Sequence, residues 1–190
     1  MRFVGIDPST KTGFVVIDEQ GQVLREKEIT GIGAVDPKRM RTMIVDLMAH
    51  IQKGDVIAIE GYAFGAKGQG IKFQYGLGEG IRMALDARKM SYIEVAPNAL
   101  KKYVGVTGWT GEAGSKKKLA GKEKKKAVMD AVYSHYGYKH RSDNVTDAFV
   151  IAQIAKDTWE LVNEDSLLLN NRIMFDYQNE VLNTILKGAI

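Results

Sequence analysis

The first residues alternate little and hide much. Met1 to Asp7, with Arg-Phe-Val-Gly-Ile-Asp as its run, is mostly apolar until its last position and then turns at Pro8-Ser9-Thr10. A short apolar run closed by turn formers predicts a buried strand. Gly13 to Asp18 predicts a second strand, and Gly21 marks the turn into a third over Val23 to Thr30. Three strands joined by short turns form an antiparallel meander. The period then changes. Met40, Met43, Ile44, Leu47 and Ile51 recur at helical spacing behind Asp36-Pro37, and Gly54 ends the run.

Asp55 to Glu60 predicts a buried strand, followed by a glycine-rich loop over 61–70. A helix is expected over about 71–90 despite Gly76, Gly78 and Gly80, each costing roughly 1 kcal/mol of propensity against Ala. Their spacing implies a face packed close against a neighbour. Tyr92 to Val95 is the fifth strand, and Pro97 opens a short helix through Tyr103. Residues 105–121 predict a loop. Helices follow over 122–136 and 143–162, the latter with Ser142 as its cap. In the tail, Met174, Tyr177, Val181 and Ile185 step by three and four, so a further helix is expected, packed within its own chain or on another subunit. The sum is an α/β protein: a five-stranded mixed sheet flanked by helices over 1–162, with a helical extension over 163–190.

Composition narrows the function. The chain of 190 residues has no cysteine, which excludes zinc-thiolate sites, disulfides and thiol nucleophiles. No apolar run approaches the ~20 residues of a membrane span, and the start carries no basic leader, so a cytoplasmic protein (host cytoplasm for a phage-encoded one) is expected. Net charge is +4, and its distribution is uneven. Nine lysines stand against two glutamates between Lys101 and Lys126. So local an excess reads as a phosphate-contacting surface or as a solvated lysine-rich face.

The acids stand out against the apolar pattern. Asp7 and Glu60 each end an apolar strand, and Asp143 and Asp147 lie four apart on one helix face. Alone, Asp7 reads as a turn former and Asp143 as ordinary charge at a helix start. Together they make a set of hard oxygen ligands suited to Mg²⁺ or Mn²⁺. His50, His135 and His140 form neither a triad nor a metal-binding spacing.

Val4-Gly-Ile-Asp-Pro-Ser-Thr-Lys-Thr-Gly13, Ile57-Ala-Ile-Glu60 and Asp143-Asn-Val-Thr-Asp-Ala148 resemble the RuvC-type Holliday junction resolvases, including phage-encoded relatives, of the RNase H-like superfamily. The resemblance spans roughly residues 1 to 160. It implies an RNase H-like fold and a homodimer that cuts branched DNA with two Mg²⁺ ions per active site. Asp7, Glu60 and Asp147 match the family's ligands. Its fourth acid often lies three residues before the last, at Asn144 here, so Asp143 or the Asn144 amide completes the set. Lys101 and Lys124 match basic residues beside the cut phosphate, with Lys102, Lys122 and Lys125 as near alternatives. Lys116, Lys117 and Lys118 extend the DNA-binding surface. Tyr62 and Phe64 fall where relatives place an aromatic wedge, or else anchor their loop. Tyr75, Leu77 and Ile81, or the tail, are candidates for the dimer interface. Other readings are an RNase H-like nuclease acting on flaps, forks or RNA–DNA hybrids, a catalytically silent DNA-binding relative, and an actin-like nucleotide-binding module. The last normally needs a second phosphate loop and a far longer chain.

Overall fold

In the computed structural model, which describes residues 1–62, 70–111, 115–163 and 174–188, five strands form one sheet in the order β3-β2-β1-β4-β5. β1 (Phe3–Asp7), β2 (Thr12–Ile17) and β3 (Val23–Ile29) run antiparallel, as their short turns require. α1 (Lys38–Met48) carries the chain to β4 (Val56–Glu60), and α2 (Gly70–Ala87) leads on to β5 (Tyr92–Val95). Both strands lie parallel to β1, so the sheet is mixed as expected.

Strand periodicity sorts the side chains. Val4, Ile6, Ile57 and Ile59 face α1 and α2, where Met43, Leu47, Leu77, Ile81 and Leu85 complete an apolar cluster. Phe3 and Ala58 face the other way, so Asp7 and Glu60, each at an even number of steps from them, share that second face. It is covered by α5 (Asp143–Asn163), and α3 (Pro97–Tyr103), α4 (Gly121–Tyr136) and α6 (Asp176–Gly188) close over α5. Nearly every α5 residue from Val145 to Thr158 is buried, which explains why its apolar pattern runs all the way round.

Glycine sets how near α5 comes. A Cβ at Gly5 would stand 1.9 Å from the Ala148 carbonyl oxygen and 2.5 Å from the Ala152 nitrogen. One at Gly13 would stand 1.9 Å from the Asn144 oxygen. Helix backbone therefore rests on strand backbone. Gly76 and Gly80 instead admit side-chain tips from α1, Met40 Cε at 3.2 Å and Ile44 Cδ1 at 2.6 Å from the corresponding Cβ positions.

Three expectations change. Within 105–121, β6 (Trp109–Thr110) and β7 (Lys117–Lys118) pair as a small antiparallel ladder. Ser142 does not cap α5 through its hydroxyl, which donates to Glu28. Its carbonyl accepts the Thr146 N–H at 3.1 Å instead. Leu77 and Ile81 are fully buried in their own core and cannot form a dimer interface. The tail packs within the chain: Val181 and Leu182 of α6 join the α5 cluster.

Candidate active site

β1 and β4 are parallel neighbours with Ile6 beside Ile59, so the next step sets Asp7 beside Glu60 at the strands' C-terminal ends. The two carboxyl groups are hydrogen-bonded to each other. The glycine contacts bring the first turns of α5 down onto this edge, where Asp147 and Asp143 add their charges to Asp7. Glu60, Asp147 and Asp143 thus lie near enough to Asp7 for their charges to act on it.

Their protonation follows from that crowding. Asp7 is 5% exposed, and burial raises its pKa well above the usual carboxylate range. The charges of Glu60, Asp147 and Asp143 and the Glu60 hydrogen bond push it the same way. Burial also raises Glu60, against the Asp7 hydrogen bond and the Lys101 charge. Asp147 is pushed up to about 7, first by burial and then by Glu60, with Lys101 and Lys125 opposing. Asp143 behaves differently. Burial works to raise it, but the Lys125 ammonium and the backbone N–H groups of Asp143 and Asn144 hold it below its usual value.

Among the described residues, no three His, Asp or Glu side chains are set to hold a metal ion as they stand. Asp7 and Glu60 share a hydrogen bond, and Asp143 is paired with Lys125. The donor chemistry nevertheless fits a divalent cation. These are hard carboxylate oxygens, and Asp7 is buried where the surrounding charges are acidic, an arrangement a cation relieves.

The lysines divide around the acids. Lys125 pairs with Asp143, and it joins Lys122, Lys126, Lys139 and Arg141 in a cavity of about 450 Å³. Lys101, Lys102 and Lys124 line a second cavity, of about 480 Å³, and the Lys101 charge also acts on Glu60 and Asp147. Lys124 therefore faces the cavity, while its neighbour Lys125 reaches the acids. Lys116, Lys117 and Lys118 are exposed and line neither. Tyr62 is held by a hydrogen bond to Glu79, by the Tyr75 ring at 5.0 Å and by Arg82, whose guanidinium carbon lies 4.5 Å from the ring centroid. Phe64 lies outside the described residues.

Arg82, Gly5 and Gly13 carry the site without having been singled out from sequence. Arg82 is 7% exposed and donates to the Glu60 carbonyl at 3.3 Å and to Glu94 at 2.9 Å, which fixes the end of β4. A lone arginine inside an otherwise apolar helix face was its one visible signal. His140 accepts the Ser142 N–H at 3.0 Å, which orients the turn entering α5.

No protein-family model and no curated protein matches the chain. Solved structures that share its fold include two of RuvC. One is Thermus thermophilus RuvC in complex with a Holliday junction substrate, at 15% identity and TM-score 0.55, covering 86% of this chain and 96% of that one. The other, titled as the Thermus thermophilus RuvC structure, is 17% identical with TM-score 0.55, covering 85% and 96%. A mixed five-stranded sheet flanked by helices, shared over most of both chains, makes this an RNase H-like fold of the RuvC kind.

Proposed function

We propose that the chain is a metal-dependent, structure-selective endonuclease that hydrolyses phosphodiester bonds in branched DNA, with the Holliday junction as first candidate substrate. The observation that carries this reading is the convergence of Asp7, Glu60, Asp143 and Asp147 at one sheet edge. The fold shared with a RuvC caught on a Holliday junction supports it. In this proposal the four acids hold two Mg²⁺ or Mn²⁺ ions. Such ions, when bound, supply Lewis acidity to a phosphodiester and make water a better nucleophile.

The chain's own residues do the rest. Arg82 fixes the Glu60 backbone, so that carboxylate is aimed before substrate arrives. Lys101 and Lys125 flank the acids and offset the charge that accumulates on a phosphoryl group in the transition state. Lys125 serves as counter-ion to Asp143 meanwhile. The cavity lined by Lys122, Lys125, Lys126, Lys139 and Arg141 gives a duplex arm a basic path away from the cut. A second copy of the chain would bring a second acid cluster to the opposite strand.

Asp7→Asn and Glu60→Gln are expected to lower Mg²⁺-dependent cleavage of a four-way junction by at least about 10²-fold, with binding in chelator little changed. Parental cleavage by either variant would sink the metal-site assignment. Forks, flaps and RNA–DNA hybrids in the same assay separate the substrate readings. Neutralising Lys116, Lys117 and Lys118 together is expected to flatten the salt dependence of junction binding by up to about three counter-ions. An unchanged slope would return them to plain solvated surface.

A further inference from the structure

The second cavity has a feature that metal chemistry does not use. Its wall includes Tyr177, from the first turn of α6, facing Lys101, Lys102 and Lys124. Phe175 stacks on Tyr177 with centroids 5.1 Å apart and planes 6° from parallel. Phe175 remains 50% exposed, an unusual cost for an aromatic ring beside an available core. The pair is braced from behind: His135 of α4 meets Phe175 edge-on at 5.3 Å and approaches the Tyr177 hydroxyl at 3.3 Å. Gln178 accepts the Phe175 N–H at 3.2 Å, and Lys102 pairs with Glu180, so α6 is tied to the floor of the cavity.

The opposite wall is made of backbone. Gly105 and Gly108 have φ of +75° and +77°. A Cβ at Gly105 would touch the Tyr177 ring at 3.4 Å, and one at Gly108 would touch Lys124 Cε at 3.2 Å. Glycine at both places lets the ring and the lysine stem lie against the turn. Lys101 connects this space to the acids, since its charge acts on Glu60 and Asp147.

We propose that Phe175 and Tyr177 form a stacking platform for unpaired nucleobases, with Lys101 and Lys124 holding the phosphates of the same strand. Flat rings beside ammonium groups are the combination that binds single strands without regard to sequence, because every base has a π face. A duplex keeps its base faces stacked inside, so the platform selects nucleotides opened at a branch or left single-stranded. This deepens the nuclease reading and rests on it for its biological setting, while binding itself requires no metal.

The test is equilibrium binding in chelator to an oligothymidylate of about 12 nucleotides, to an abasic strand of equal length and to a blunt duplex. The parent protein should prefer thymidylate over the abasic strand by about tenfold, and Phe175→Ala should erase that preference while leaving duplex affinity within about twofold. Phe175→Trp should restore it. Phe175→Leu, which keeps an apolar contact with His135 without a π face, should behave like Phe175→Ala and guards against a folding artefact. A preference that survives both Phe175→Ala and Phe175→Leu overturns the platform, as does equal loss on all three ligands. Because no cleavage is measured, a failed metal site leaves this result standing, and a failed platform leaves the acids untouched.

Discussion

The two faces of the sheet are both sealed by buried apolar side chains, yet they are built on different principles. On the α1 and α2 side, side chains meet side chains: Ile6, Ile57 and Ile59 against Leu47, Leu77 and Leu85. On the α5 side, Gly5 and Gly13 remove the intervening layer, and main chain meets main chain. The first arrangement tolerates adjustment because rotamers can shift. The second has no soft element, and it is the one that carries Asp7, Glu60, Asp143 and Asp147. Stability can be shared over many contacts, but the spacing of a charged cluster is held best where nothing can flex.

The harshest challenge to this contrast is Gly5→Ala. A methyl group 1.9 Å from a carbonyl oxygen must displace α5, at an expected cost of about 3 kcal/mol or more and with loss of junction cleavage. Chemical denaturation measures the first and the nuclease assay the second. Parental stability would show that α5 can ride away from the sheet.

Asp147→Asn probes the charge that this close packing imposes. The acid's pKa rises from 3.8 to about 7 on folding, so the folded form holds its proton more tightly than the unfolded chain does. Stability from this group is complete below the unfolded value and is lost as pH rises through the folded one. In chelator, Asp147→Asn should therefore exceed the parent in stability by on the order of 2–4 kcal/mol near pH 8, with the gap closing toward pH 4. Melting curves across that range decide it, and a gap independent of pH would remove the buried-charge explanation.

Gly76→Ala is the gentle case on the other face. The new methyl meets the flexible end of Met40, Cε at 3.2 Å and Sδ at 3.7 Å, and the helix gains propensity. A stabilisation of about 0.5–1 kcal/mol is expected. A loss like that of Gly5→Ala would erase the distinction between the faces.

Much of this was legible from residue order. Apolar runs ending in acid placed Asp7 and Glu60 at strand ends, and the four-residue step put Asp143 and Asp147 on one helix face. What escaped was set by docking. Whether Lys124 or Lys125 reaches the acids turns on the roll of α4, since one residue is about 100° of helix and both are lysine. The pairing of Trp109–Thr110 with Lys117–Lys118 has no apolar alternation to announce it. Arg82 went unnoticed because its partners, the Glu60 carbonyl and Glu94, lie 22 and 12 residues away. Leu77 and Ile81 looked like an interface because an apolar stripe does not say which neighbour covers it.

The two glycines under α5 bear on inheritance as well as on mechanics. A gap measured between peptide planes does not depend on which aliphatic groups fill the rest of the interior. Aliphatic residues elsewhere in the interior could therefore be exchanged while the first turns of α5 keep their height above β1 and β2.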